Sequence, residues 1–322
     1  MKKILSIVIS LTLALTLIAC SDQNDTKQQT VVSMEAFDTT PTIQKTTIYD
    51  KNNIKITADS LHYSDSEVKL SVTLENNTDK NLSFICGSAN YHVNSINGYM
   101  IDDGYVNSDI PASQSSTETV SFNIDEINAF GITKISDMEI GFQINDENYS
   151  FVEYTGALPI KTSIYDSYDY KTNSYQQIIN NRAFENKFNS KLAYFSDKNI
   201  LKNYGISIDS VTVMSDSSSK PLLMLELKNN SDKLQYIKIK KVLINDVSVY
   251  DSLWTSTSIN ADKKHILDID LSHLASKYSG DASKVNEISK ITFEISVGET
   301  FSEAKNTDTV NITLPQIKVS AE

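Results

Sequence analysis

The side chains that could carry chemistry are few enough to weigh one by one. Cysteine occurs at Cys20 and Cys86 only. Cys20 closes an uncharged apolar run at 4–19, "ILSIVISLTLALTLIA", that follows Lys2 and Lys3. Cys86 sits in "LSFICGSA" with nothing beside it to lower its pKa, so it reads as a small buried strand residue and not as a nucleophile. The histidines are His62, His92, His265 and His273, and no two of them have the H-x-x-x-H spacing that puts both rings on one helical face for zinc. No G-x-S-x-G, P-loop or G-x-G-x-x-G occurs, and 9 glycines in the whole chain leave little for a phosphate-cradling loop. Asp102-Asp103-Gly104 and "YDSYDYKTNSY" (165–175) are the best acidic stretches for a cation. Neither has the alternating oxygens and closing glutamate that calcium wants, so both read as solvated turns and no metal is assigned. The second stretch also carries Tyr165, Tyr168, Tyr170 and Tyr175. Exposed tyrosines among acids and amides offer large rigid area with a polar tip, suited to stacking on sugars or gripping a peptide. No catalytic residue is assigned, and the expectation is a protein that is not an enzyme.

The apolar run fixes an address. It is slightly short of the roughly 20 residues a transmembrane helix needs, and a charged start with small residues at the end is the layout of a secretory signal peptide. Leu17, Ile18 and Ala19 directly before Cys20 match the bacterial lipobox, and here the sequence resembles a lipoprotein precursor. The resemblance implies cleavage behind Ala19 and a diacylglycerol thioether on Cys20, which becomes the mature N-terminus; no other cofactor is expected. It places the chain on the extracytoplasmic face of the cell membrane, held by lipid and not embedded in it.

Composition narrows the partners. The formal charge is −12, with 41 acidic against 29 basic residues. That balance excludes the basic footprint nucleic acid demands and argues against close contact with an anionic membrane surface. Arg182 is the only arginine, and the abundance of lysine, asparagine, isoleucine and tyrosine resembles the coding bias of a clostridium-like Gram-positive bacterium.

The elements that must position these residues repeat. "VTLENNTDK" at 72–80 lies beside "LELKNNSDK" at 225–233. In the same order "ADSL" (58–61) matches "IDSV" (208–211), Val93-Asn94 matches Ile244-Asn245, "IPASQ" (110–114) matches "INADK" (259–263), and "ITKISDMEIGFQI" (132–144) matches "VNEISKITFEISV" (285–297). Val68, Leu70, Val72 and Leu74 alternate with polar residues, the period of a half-buried strand, and the matching run in the second copy is more densely apolar. Each copy reads as about seven short strands with short helices at 124–130 and 271–278. The fold class expected is all-β, two tandem antiparallel immunoglobulin-like β-sandwich domains. The boundaries follow: leader 1–19, flexible tether 20–40, first domain 41–158, connecting strand and helical insertion 159–195, second domain 196–322. "PIKTSIYD" (159–166) echoes "IQKTTIYD" (43–50) and is expected to supply the first strand of the second copy, ahead of an amphipathic helix within 174–195.

Duplication and lipobox together resemble Gram-positive lipoproteins with tandem immunoglobulin-like domains, a class that carries over no site residues. The function expected is binding of a protein or glycan in the cell envelope, with 166–195 as the contact surface. The alternatives are a small-molecule or peptide receptor serving a transporter, which lacks support from any βαβ alternation, and an envelope hydrolase, which lacks a nucleophile–base pair.

Overall fold

The computed structural model describes residues 32–87, 94–215, 221–250, 255–271, 287–300 and 306–318. Leu17, Ile18, Ala19 and Cys20, together with His92, Trp254, His273 and the helix expected over 271–278, lie wholly or almost wholly outside them.

The first copy begins with β1 (Thr46–Lys51), β2 (Ile54–Tyr63), β3 (Glu67–Asn76) and β4 (Leu82–Cys86). A small hairpin follows, β5 (Ser95–Ile96) and β6 (Tyr99–Met100), then β7 (Val106–Ile110) and β8 (Gln114–Asn123). Helix α1 (Ile124–Ala129) starts where the Asn123 side chain accepts from the Asp125 N–H. The copy closes with β9 (Asp137–Ile140), β10 (Phe142–Asp146), β11 (Phe151–Tyr154) and β12 (Leu158–Lys161). Between the copies stand α2 (Ser174–Asn180) and α3 (Ala183–Phe188). The second copy holds β13 (Lys191–Ser196), β14 (Leu201–Asn203), β15 (Ile206–Ser215), β16 (Pro221–Asn229) and β17 (Gln235–Ile244). It continues through β18 (Val247–Tyr250), β19 (Thr255–Ile259), β20 (Lys264–Asp270), β21 (Glu287–Gly298) and β22 (Asn306–Lys318).

The first sandwich packs sheet β1-β2-β3-β8 against β11-β10-β4-β7. The second repeats the order: β13 and β14 flank β15-β16-β20, facing β17, β21 and β22 with β18 and β19 beside them. Strands adjacent in space but distant in sequence make this an all-β sandwich of immunoglobulin-like, Greek-key type. Period-2 alternation builds each core: Val68, Leu70, Val72 and Leu74 are all fully buried, as are Leu225 and Leu227.

The repeat extends to single hydrogen bonds. Asn76 donates through Nδ2 to the carbonyls of Lys80, Ile110 and Pro111, and its Oδ1 accepts from the Thr78 N–H and hydroxyl. Asn229 does the same with Lys233, Ile259, Asn260 and Ser231. Both amides are fully buried, which explains the Asn-Asn-Thr/Ser-Asp-Lys signature: the first asparagine locks the turn from inside the sandwich. The aspartates of "ADSL" and "IDSV" sit at β-bulges in both copies, where the register shifts between Ala58 and Ser60 and between Ile208 and Ser210.

Four expectations need correcting. The partner of Asn245 is Asn97, not Asn94: Asn97 accepts from the N–H groups of Ser136 and Asp137, and Asn245 from those of Ser289 and Lys290. Each opens a tight turn with two residues at positive φ, Asn97-Gly98 and Asn245-Asp246. Residues 158–161 do not start the second copy; β12 pairs with β9 and closes the first, while β13 and β14 occupy the place of β1. The expected helix within 174–195 is two short helices and a strand, broken at Arg182 and Asn189, both at positive φ. Residues 32–40, assigned to the tether, lie on the first sandwich and on α3: Phe37 meets the Tyr63 ring at 6.2 Å, the Asp38 N–H donates to the Thr133 carbonyl, and the Val32 carbonyl accepts from Asn186 of α3.

The two sandwiches are fused. β6 runs parallel to β20, and the Lys264 N–H donates to the Gly98 carbonyl at 2.8 Å, so one nine-stranded sheet passes from the first copy into the second.

Candidate functional site

Of the expected contact residues, three come together and one does not. Tyr165 opens a single 3-10 turn (Tyr165–Ser167) just beyond β12, and Tyr168 and Tyr170 follow on the loop. The Tyr170 ring meets Tyr168 at 4.7 Å and Tyr165 at 6.0 Å, both edge to face. Its hydroxyl donates to Asp137 Oδ1 at 2.6 Å and lies 2.7 Å from Ser136 Oγ, which therefore supplies the other proton. Burial, then the Asp137 carboxylate, pushes this phenol well above its ordinary pKa. The Lys161 ammonium sits over the Tyr165 ring at 3.8 Å, and that of Lys134 lies 6.0 Å from Tyr168. Tyr175 belongs elsewhere. It is fully buried on α2, where its hydroxyl donates to Thr212 Oγ1 at 2.9 Å, and it is a core residue.

Beside the tyrosines lies a groove of about 470 Å³ that sequence reasoning did not find. One wall is the chain leading into and along β1, contributing Thr42, Gln44, Thr46 and Ile48; the other is Pro159 to Ser163 along and beyond β12. β1 and β12 are edge strands of different sheets. They are pinned at one end, where the Thr42 N–H donates to Ser163 Oγ at 3.1 Å and the Ser163 N–H to the Thr42 carbonyl at 2.8 Å, and the groove lies along the walls from there. No carboxylate lines it.

The other chemical candidates resolve into structure. Cys86 is buried on β4, and burial pushes its thiol up to about 12, far from a reactive thiolate. Asp103 is used up in ordering its own loop, accepting from the N–H groups of Gly104 and Asn123. Glu126 caps the neighbouring Asp102 N–H, and burial, with repulsion from Asp103 and Asp102, pushes its carboxyl up to about 7. Among the described residues no group of three or more histidine, cysteine or acidic side chains could hold a metal ion.

One charge stands buried among many partners: Glu226 on β16, whose side chain is fully buried. Its Oε1 receives Asn173 at 2.7 Å and Lys264 at 2.9 Å, while Oε2 receives Gln176 at 2.7 Å and Ser210 at 2.8 Å. Tyr99 of the first copy reaches Oε1 at 3.5 Å. With its lone pairs taken by donors from both copies and from the segment between them, this carboxylate is a fastening and has no capacity left for chemistry.

No protein-family description matches the chain, and no curated protein does. Solved structures resemble it only loosely. Chicken MD-1 complexed with lipid IVa matches at 11% identity over 37% of this chain and 96% of that one, with a TM-score of 0.17. The exo-chitosanase CsxA of Amycolatopsis orientalis matches at 12% over 76% of this chain, which spans 25% of the enzyme, with a TM-score of 0.20. An anti-sigma factor domain-containing protein matches at 8% over 87% of this chain and 92% of that one, with a TM-score of 0.14. Superpositions this loose leave the fold to be described by the chain's own strand order, and they say nothing of activity.

Proposed function

We propose that this chain is a lipid-anchored extracytoplasmic protein that catalyses no reaction and holds an envelope partner at the face formed by residues 42–48 and 159–170. One observation carries the reading: an open groove between two edge strands shares Lys161 with an ordered aromatic patch, the Lys161 ammonium lying over the Tyr165 ring. The address rests on "LIAC" at 17–20. Clefts lined by a few polar groups over an apolar floor are where proteins hold ligands, and Ile160, which is buried, supplies such a floor. The excess of acid over base keeps the body clear of an anionic bilayer.

The test is a photocrosslinking residue placed at Thr46 in the native cell, compared with one at Lys290 on the second sandwich. An adduct specific to Thr46 is expected; equal labelling at both positions rejects the face. For the anchor, Cys20→Ser should abolish incorporation of labelled fatty acid and leave the precursor unprocessed, and unchanged labelling rejects it.

A further inference from the structure

Resting on that reading of the face, we infer that the groove takes a neutral polysaccharide segment. Its walls decide the ligand class. Thr42, Gln44 and Thr46 are exposed, alternate along one wall and all line the groove. Hydroxyl and amide groups both donate and accept, which matches a ligand presenting hydroxyls on every side. Ile48 and Pro159 add apolar surface for the C–H faces of a sugar ring.

Charge disfavours ligands of either sign. In a chain with 41 acidic residues the lining has no carboxylate, so a cationic ligand finds no counter-charge. The one cation is Lys161, and its ammonium is already engaged with the Tyr165 ring at 3.8 Å. An added peptide strand fits worse. Pro159 has no N–H to donate, and the register of β1 against β2 shifts between Thr47 and Tyr49, so neither wall offers an unbroken ladder.

The experiment uses the full lipidated chain in liposomes. Its probes are cellotetraose, chitotetraose and maltotetraose, tetragalacturonate as the anionic control, and a capped alternating valine–threonine peptide as the strand control, all followed by calorimetry. At least one neutral oligosaccharide should bind with an affinity insensitive to salt. Gln44→Ala should weaken it about tenfold, the loss of one hydrogen bond. Thr46→Glu, at an exposed position, should weaken it further by filling the groove and charging it. Binding of only the anionic sugar or the peptide, neutral binding that neither variant alters, or no binding of any probe each overturns the inference. If the Thr46 crosslink in cells persists in such a case, only the ligand class falls; if it is absent, the proposed face falls as well.

Discussion

The same sheet surface occurs twice in this molecule and meets two different fates. On the first sandwich, the outward positions Thr57, Thr73 and Thr117 lie side by side across β2, β3 and β8, passing from buried Thr57 through half-buried Thr73 to exposed Thr117. Thr73 shares hydrogen bonds with Thr117 at 3.2 Å and Asp59 at 2.6 Å, and next along the sheet Lys55 pairs with Glu75 at 2.7 Å. On the second sandwich the corresponding trio is Ser210, Glu226 and Ile266, flanked by Thr212 and Met224, and all five are buried. Met214, Met224 and Ile266 join the hydrophobic core of the first copy together with Tyr175, Ile178 and Phe184 of the intervening helices. The inward faces of the two copies are interchangeable in kind, and the outward faces are not. Inward alternation makes the sandwich; the outward face decides whether it stands in water or joins a neighbour.

The sharpest way to test that contrast is at the paired positions. Glu226→Ala strands Lys264 and the donors around it, and should lower the unfolding free energy by about 3–5 kcal/mol in a urea titration. Asn76→Ala and Asn229→Ala should each cost about 2–3 kcal/mol, since each leaves buried carbonyls unpaired. Their near equality would place the difference between copies outside the cores, and a gap as large as either value would break the comparison. Tyr175→Phe removes the bond to Thr212 and a weak contact with Met224 Sδ, and should cost about 1 kcal/mol by the same measurement. Glu126 on α1 gives a pH signature belonging to the first copy. Its folded carboxyl keeps its proton up to about 7, against 4.5 for the ordinary group, so the folded form binds more protons between those values. Stability should therefore fall as pH rises through that window, and Glu126→Gln should flatten the slope of melting temperature against pH. Thr117→Ala, at the exposed counterpart of Ile266, should change stability by about 0.5 kcal/mol or less.

How much of this was legible depended on how local the cause was. The alternation at 68–74 and the asparagine turn are written within ten residues, and both were readable. The α1 helix at 124–129 was too, inside the short helix expected at 124–130. The denser apolar run in β16 did carry the news that this strand is covered on both faces, but not by what. The echo of "IYD" at 48–50 and 164–166 misled because residue types do not reveal strand partners. Tyr175 was grouped with its neighbours because four tyrosines within eleven residues look alike until a helix turns one of them inward. The break at Arg182 was hidden because Phe184, Phe188 and Leu192 beyond it keep the i,i+4 spacing of a helix. The groove was beyond reach for a plainer reason: its pinning contact joins residues 121 positions apart.

The parallel bridge between β6 and β20 has a consequence for the molecule's history as well as its shape. Where two sandwiches share a sheet, neither remains a cassette that can be shuffled, deleted or expressed alone. Cut out, the second copy would bare Met224, Ile266 and the Glu226 carboxylate to water; the first, without the helices, would lose Tyr175, Ile178 and Phe184 from its core. Duplication is reversible while the copies hang like beads, and it stops being so once one outer face has turned apolar. That change works as a ratchet, and this chain stands on the far side of it.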